Sequence, residues 1–269
     1  MLSIALAAAL LWPLVRPAPA DACGGRERPV CTVLRPAAEA ARMRDPVGWG
    51  QECVVVVGGL GSPVDGSDAA YFALALGDLA NSVGHRLIRF GVDRGAYDTT
   101  GAISRSGAAL GSVLLGLSPD CDAIHVLAHS MGGVVADRAL SKLDPGSLGI
   151  STYVAMASPH NGATLARVVR AIAAVPVAAG GVDLTAEAID DLASMRAPRR
   201  IPRLEHVRLR MASDLLVLHR DNNDPRVDVR ELDPASLDEL EGHGAIVRDR
   251  RVQGIVRETI RSGRVPDRT

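Results

Sequence analysis

Ala128-His129-Ser130-Met131-Gly132 places one hydroxyl between an apolar run, Ala123 to Ala128, and an amphipathic stretch that continues to Leu140. The spacing matches the nucleophile elbow G-x-S-x-G at every position but the first, where alanine replaces glycine. Such a turn lifts a serine hydroxyl clear of a sheet by holding its backbone in a strained conformation. Neighbouring backbone then comes close to the residues two before and two after, so both must be small, as Ala128 and Gly132 are. The Met131 N–H begins the helix, where it is free to bind a developing oxyanion. A plain helix N-cap is the alternative reading of a serine at this place.

A nucleophilic serine needs a base, and the base needs an orienting acid. Of the seven histidines, His85 and His206 begin strands at the wrong end of a sheet, and His125 lies within one. His129 adjoins the serine and cannot turn onto its neighbour's hydroxyl. His219 precedes the polar turn RDNNDP. His243, in EGHGAIV, follows the last strand and has small neighbours that leave the imidazole room, so it is the expected base. Asp214 follows directly from the strand HVRLRMA and is the expected acid; Asp221 and Asp224 are the competing carboxylates. The chain order Ser130, Asp214, His243 is that of α/β-hydrolases. A second oxyanion N–H is expected from Leu60, in the Gly58–Ser62 loop GGLGS after the run VVVV. That loop lacks the G-K-[ST] of a phosphate loop and the G-x-G-x-x-G of a dinucleotide fold.

These residues need a scaffold, and the rest of the chain supplies one. VVVV (54–57) is a β-branched run suited to a strand buried on both faces. Helical spacing follows over 68–84, then strand HRLIRFGV, helix SRSGAALGSVLLGL, strand AIHVLA, helix MGGVVADRALSKL and strand STYVAMA. Helical stretches lie between 163 and 195. Strands HVRLRMA and RVDVREL and a closing helix, VRDRRVQGIVRETIRSG, complete the series. Alternation of this kind predicts an α/β fold: a mainly parallel sheet with helices on both faces, and ligands beyond the carboxyl ends of the strands.

Composition narrows the function. Apolar residues make up 47% of the 269-residue chain, enough for one large α/β core. Aromatics are only 3% and net charge is −1, which argues against a nucleic-acid partner. No metal or cofactor is expected, because Cys and His show no ligand spacing. MLSIALAAALLWPLV followed by RPAPADAC reads as a secretory signal peptide over residues 1–22, although no Lys or Arg precedes the apolar run. An uncleaved segment would instead hold the protein at a membrane. Residues 23–50 read as an N-terminal arm and 51–269 as the catalytic domain. Cys53 and Cys121 each precede a strand; if those strands are parallel neighbours, the two lie at one end of the sheet. Pairing Cys53 with Cys121 and Cys23 with Cys31 is therefore favoured, with buried free thiols the alternative for the first pair.

VVVVGGLGS, VLAHSMGG and VAMASPHNGATLA together resemble the α/β-hydrolase lipases and esterases. The nearest resemblance is to bacterial lipases of the A-x-S-x-G type and to inositol-deacylase-like relatives, over roughly residues 53–260. It implies Ser130 as nucleophile, Asp214 and His243 as its partners, Leu60 and Met131 as oxyanion donors, and a minimal core without a large cap. It also places His160, in SPHNG, at the edge of the site. The family often carries a histidine before the oxyanion glycine; Gly58 stands there in this chain. Residues 166–184 form either a mobile flap or a core-packing helix and loop. The expected activity is secreted carboxylic-ester hydrolysis on a lipid or other acyl-ester substrate, with transient contact at a membrane or lipid interface. Acyl transfer, thioester or amide cleavage on the same residues, and a non-catalytic binding role, are the alternatives.

Overall fold

The computed structural model describes residues 51–60, 85–164, 187–194, 201, 204–214, 217–218, 221, 227–232 and 242–267. The signal peptide, the arm, Cys23, Cys31, the 68–84 helix, the 166–184 segment, His219 and Asp224 lie outside the described residues.

Six strands form one sheet: β1 (Cys53–Val57), β2 (Arg86–Arg89), β3 (Ile124–His129), β4 (Ile150–Met156), β5 (Glu205–Met211) and β6 (Asp228–Leu232). Their order is β2-β1-β3-β4-β5-β6, and every neighbouring pair is parallel. The helices are α1 (Ile103–Leu117), α2 (Met131–Leu140), α3 (Glu187–Ser194), the single turn α4 (Gly242–Ala245) and α5 (Arg250–Ser262).

Strand periodicity divides the core in two. Val55, Val57, Val126 and Tyr153 face one side, against Leu110 and Leu114 of α1 and Val134 and Val135 of α2. Val54, Val56, Leu127, Val154 and Val207 face the other, against Val252, Val256 and Ile260 of α5. Burial on both faces explains why β1 reads as an unbroken valine run. Asp249 caps α5 by accepting from the Arg251 N–H at 2.7 Å, and Gly263 ends it with a left-handed φ of 66°.

The chain leaves β1 for β2 on one side and returns to place β3 on the other. This reversal is the topological switch point of an open α/β sheet, and Ser130 sits at the carboxyl end of β3 beside it. A disulfide joins Cys53 to Cys121 at the opposite, amino-terminal end, with Cα atoms 5.8 Å apart. The expected neighbourhood of β1 and β3 is what makes that bond geometrically available.

Candidate active site

Ser130 has φ 55° and ψ −131°, a conformation that non-glycine residues avoid. Its N–H is held by the Met156 carbonyl at 2.9 Å, so the turn is clamped to β4. The hydroxyl makes no capping bond to α2. It lies instead 2.8 Å from His243 Nε2, while His243 Nδ1 lies 2.9 Å from Asp214 Oδ2. With Nδ1–H donating to the carboxylate, Nε2 is the acceptor and the serine hydroxyl donates to it. The helix-cap alternative for Ser130 therefore fails on geometry.

The local sequence explains each placement. Asp214 lies three residues beyond β5, in a turn closed by its N–H to the Met211 carbonyl. Its Oδ1 accepts from the Val217 N–H at 2.9 Å, leaving Oδ2 aimed at the imidazole. The carboxylate is buried, so its orientation is fixed by these bonds rather than by solvent. Asp221, one of the competitors, is also buried but is spent elsewhere. It accepts from the Thr164 N–H and hydroxyl, at 3.0 and 2.6 Å, and from the Leu218 N–H. His243 rides on α4, and its main-chain carbonyl accepts from His129 Nε2 at 2.9 Å.

Close packing joins the loop after β1 to the Ser130 turn. A Cβ on Gly132 would fall 2.3 Å from the Val57 carbonyl oxygen and 2.4 Å from that of Gly58. The loop that leaves β1 at Gly58 thus runs against the first turn of α2, which begins at Met131. As the first helical residue, Met131 has no intrahelical acceptor for its N–H. The Tyr97 hydroxyl donates to the Gly58 carbonyl at 2.8 Å. It supplies from the loop after β2 the support beneath the loop that Gly58 lacks for want of a side chain.

His160 does not line the site's edge. Its side chain is wholly buried behind α2, with Nδ1 2.5 Å from Asp137 Oδ2. Gly133 is small because Ser158 and His160 pack against it; a Cβ there would fall 2.1 Å from Ser158 Oγ. Tyr153 donates to the Gly133 carbonyl at 2.7 Å and stacks on His206 at 4.3 Å. Arg208, also buried, brings Nη2 to 4.0 Å from Asp137. Burial pushes the Asp137 carboxyl upward, but the His160 charge and hydrogen bond, with Arg208, hold it below its ordinary value. Burial, with the Asp137 charge nearby, drives the Tyr153 hydroxyl well above its ordinary value, so it stays a donor. This polar layer under α2 carries no signal in the sequence except the SPHNG motif that contains His160.

Residues 50–175 match the family model described as "Putative serine esterase (DUF676)". No curated protein matches the chain in sequence. Among solved structures, the metagenomic carboxyl esterase MGS0156 superposes with a TM-score of 0.56 at 18% identity, over 82% of this chain and 80% of its own. The mature form of the Bacillus licheniformis lipase BlEst2 superposes with a TM-score of 0.55 at 14% identity, over 82% of this chain and 96% of its own. With a parallel sheet of this order and a strained serine at the end of its third strand, the chain has the α/β-hydrolase fold.

Proposed function

We propose that the protein is a secreted serine hydrolase of carboxylic esters. The observation that carries this reading is the placement of His243 between Ser130 and Asp214, with the hydroxyl bonded to an imidazole rather than capping its helix. Ser130 Oγ attacks the ester carbonyl while His243 Nε2 takes its proton. Asp214 holds the tautomer and stabilises the imidazolium. The N–H groups of Leu60 and Met131 receive the oxyanion, each donor contributing about 3 kcal/mol in comparable enzymes. Collapse of the intermediate returns the proton to the leaving alcohol and leaves Ser130 acylated. Water, deprotonated by His243, then releases the acid.

The match to a serine esterase family over the first half of the domain supports the ester class. The exposed apolar side chain of Leu60 supports an acyl chain as the group bound there. Export is supported by the N-terminal apolar run with its small-residue cleavage sites and by the Cys53–Cys121 disulfide.

The test is hydrolysis of p-nitrophenyl esters of short, medium and long acyl chains, with Ser130→Ala and His243→Ala in parallel. Turnover by the wild type and a loss on the order of 10⁴-fold in both folded variants is expected. The chain-length profile then separates esterase from lipase. A wild type inert on every ester would sink the carboxylesterase reading and favour acyl transfer, thioester cleavage or binding.

A further inference from the structure

At the opposite end of the sheet from Ser130, a row of polar side chains crosses four strands. His85 immediately precedes β2, Glu52 immediately precedes β1, His125 is the second residue of β3, and Thr152 lies on β4. The register explains the convergence. Cys53 pairs with Arg86, which sets Glu52 beside His85; Val54 pairs with His125, which sets Glu52 diagonal to it; and His125 pairs with Thr152. Side chains two apart on a strand share a face, so Glu52 and His125 point the same way.

His85 Nε2 and His125 Nε2 both approach the same carboxylate oxygen, Glu52 Oε2, at 2.5 and 3.1 Å. One potential ligand atom from each of the three residues lies within 4.8 Å of the others. Both imidazoles are buried, whereas the Glu52 side chain is 42% exposed. We propose that Glu52, His85 and His125 form a binding site for a divalent transition-metal ion of the Zn²⁺ class.

The chemistry of the donors selects the ion. Two imidazole nitrogens and one carboxylate suit Zn²⁺ and its neighbours, whereas Ca²⁺ and Mg²⁺ require mainly oxygen ligands. Two ligand atoms on a tetrahedral Zn²⁺, each about 2.1 Å from the metal, stand about 3.4 Å apart. The Glu52–His85 contact must therefore open by about 1 Å to admit the ion, and the half-exposed carboxylate is the group able to retreat. Water completes the shell from the solvent side.

Thr152 is built to serve both states. Its hydroxyl lies 2.8 Å from His125 Nδ1. Without metal, Nε2–H donates to Glu52 and the hydroxyl donates to Nδ1. With metal on Nε2, the proton moves to Nδ1 and the hydroxyl accepts it, because a hydroxyl does both. The sequence hides this site because Glu52 lies 33 residues from His85 and 73 from His125, with none of the short spacings that mark metal motifs.

The test titrates the chelator-treated full chain with Zn²⁺ against a chromophoric competitor, and with Co²⁺ as a spectroscopic probe of tetrahedral nitrogen-oxygen ligation. The expected result is one ion per chain, a raised thermal midpoint, and no displacement by Mg²⁺ or Ca²⁺. Glu52→Gln and His85→Gln are expected to weaken binding by more than the loss of about tenfold that Thr152→Val gives through His125. His243→Ala is the control for a metal captured beside Ser130 and is expected to bind as the wild type does. Binding that disappears in His243→Ala but survives Glu52→Gln and His85→Gln would overturn the proposal. So would the absence of Zn²⁺ binding to the folded wild type, which would leave the three residues a hydrogen-bonded clamp.

Discussion

His129 Nε2 donates to the main-chain carbonyl of His243 across 2.9 Å, and their rings lie 5.0 Å apart. A carbonyl only accepts, so this bond fixes the His129 proton on Nε2. The residue before Ser130 thus grips the backbone of His243. Ser130 and His243 are tied side chain to side chain, and the His129 side chain also holds the main chain of His243, so the 2.8 Å contact does not depend on one hydrogen bond.

His129→Phe keeps a ring at this place and removes the donor. His243 is then free to drift on its single-turn helix, and sub-ångström drift is costly where a proton must move. A fall in kcat of about tenfold with KM nearly unchanged is expected, at a stability cost of about 1 kcal/mol. Ester kinetics beside a thermal melt check this. A kcat equal to the wild type's would show that α4 holds His243 unaided.

Tyr97 acts on the other half of the site. Its hydroxyl holds the Gly58 carbonyl, and Gly58 lies two residues before Leu60. Tyr97→Phe is expected to lower kcat by about tenfold, less than the 10²–10³ of deleting an oxyanion donor outright, because Leu60 keeps its N–H. If the loss falls on KM instead, the loop shapes the acyl pocket rather than the oxyanion site.

Much of this was legible in the sequence, for definite reasons. Strand burial on both faces forced β-branched runs at 54–57, and the elbow's tight turn forced small residues around Ser130. His243 stood out because strand and helix order left it one position, between the last strand and the last helix. Asp214 and Asp221 were harder to separate, since both follow β5 and both are buried; only the Thr164 and Leu218 bonds show that Asp221 is occupied. His129 and Tyr97 were not assigned roles because each contacts a main-chain carbonyl, which carries no residue identity. His160 was drawn to the site's edge by its motif, whereas its partner, Asp137, lies on the buried face of α2.

Gly132→Ala tests the packing between loop and elbow. The new Cβ meets two carbonyl oxygens at 2.3 and 2.4 Å, both backbone, and neither can swing aside. Loss of about 1–3 kcal/mol of stability is expected, with ester activity nearly abolished as the loop is pushed from Met131. Gly111→Ala in α1 is the control: among the described residues nothing lies within 4 Å of its Cβ, so a gain of about 0.5–1 kcal/mol is expected. Equal urea midpoints for the two variants would refute the steric reading.

Asp137 makes stability depend on pH. Its folded pKa lies below its ordinary value because the His160 interactions outweigh burial. A depressed carboxylate pKa contributes stability that is fully present above the unfolded value, about 4, and is lost as pH falls through the folded value. Asp137→Asn removes that contribution and leaves His160 without its anion, at a cost of about 3 kcal/mol near neutrality. The gap between wild type and variant in urea unfolding is expected to narrow as pH falls below about 4. A gap that stays constant or widens toward low pH would show that Asp137 is not the ionised partner.

The Cys53–Cys121 bond closes a long loop, with a sequence separation of 68. Constraining a loop of that length in the unfolded chain stabilises the fold by about 4 kcal/mol on the chain-entropy account. The bond lies at the amino-terminal end of the parallel strands β1 and β3, whereas Ser130 lies at the carboxyl end. Stability and chemistry should therefore separate. Cys53→Ala combined with Cys121→Ala is expected to lower the unfolding free energy, extrapolated from urea titration, by an amount near that figure, while kcat at a temperature where the variant is folded stays close to wild type. A reductant should move the wild type toward the variant and leave the variant where it is. Loss of kcat in the folded double variant would mean that β1 slides against β3 when the bond is absent, carrying the Leu60 loop away from Met131.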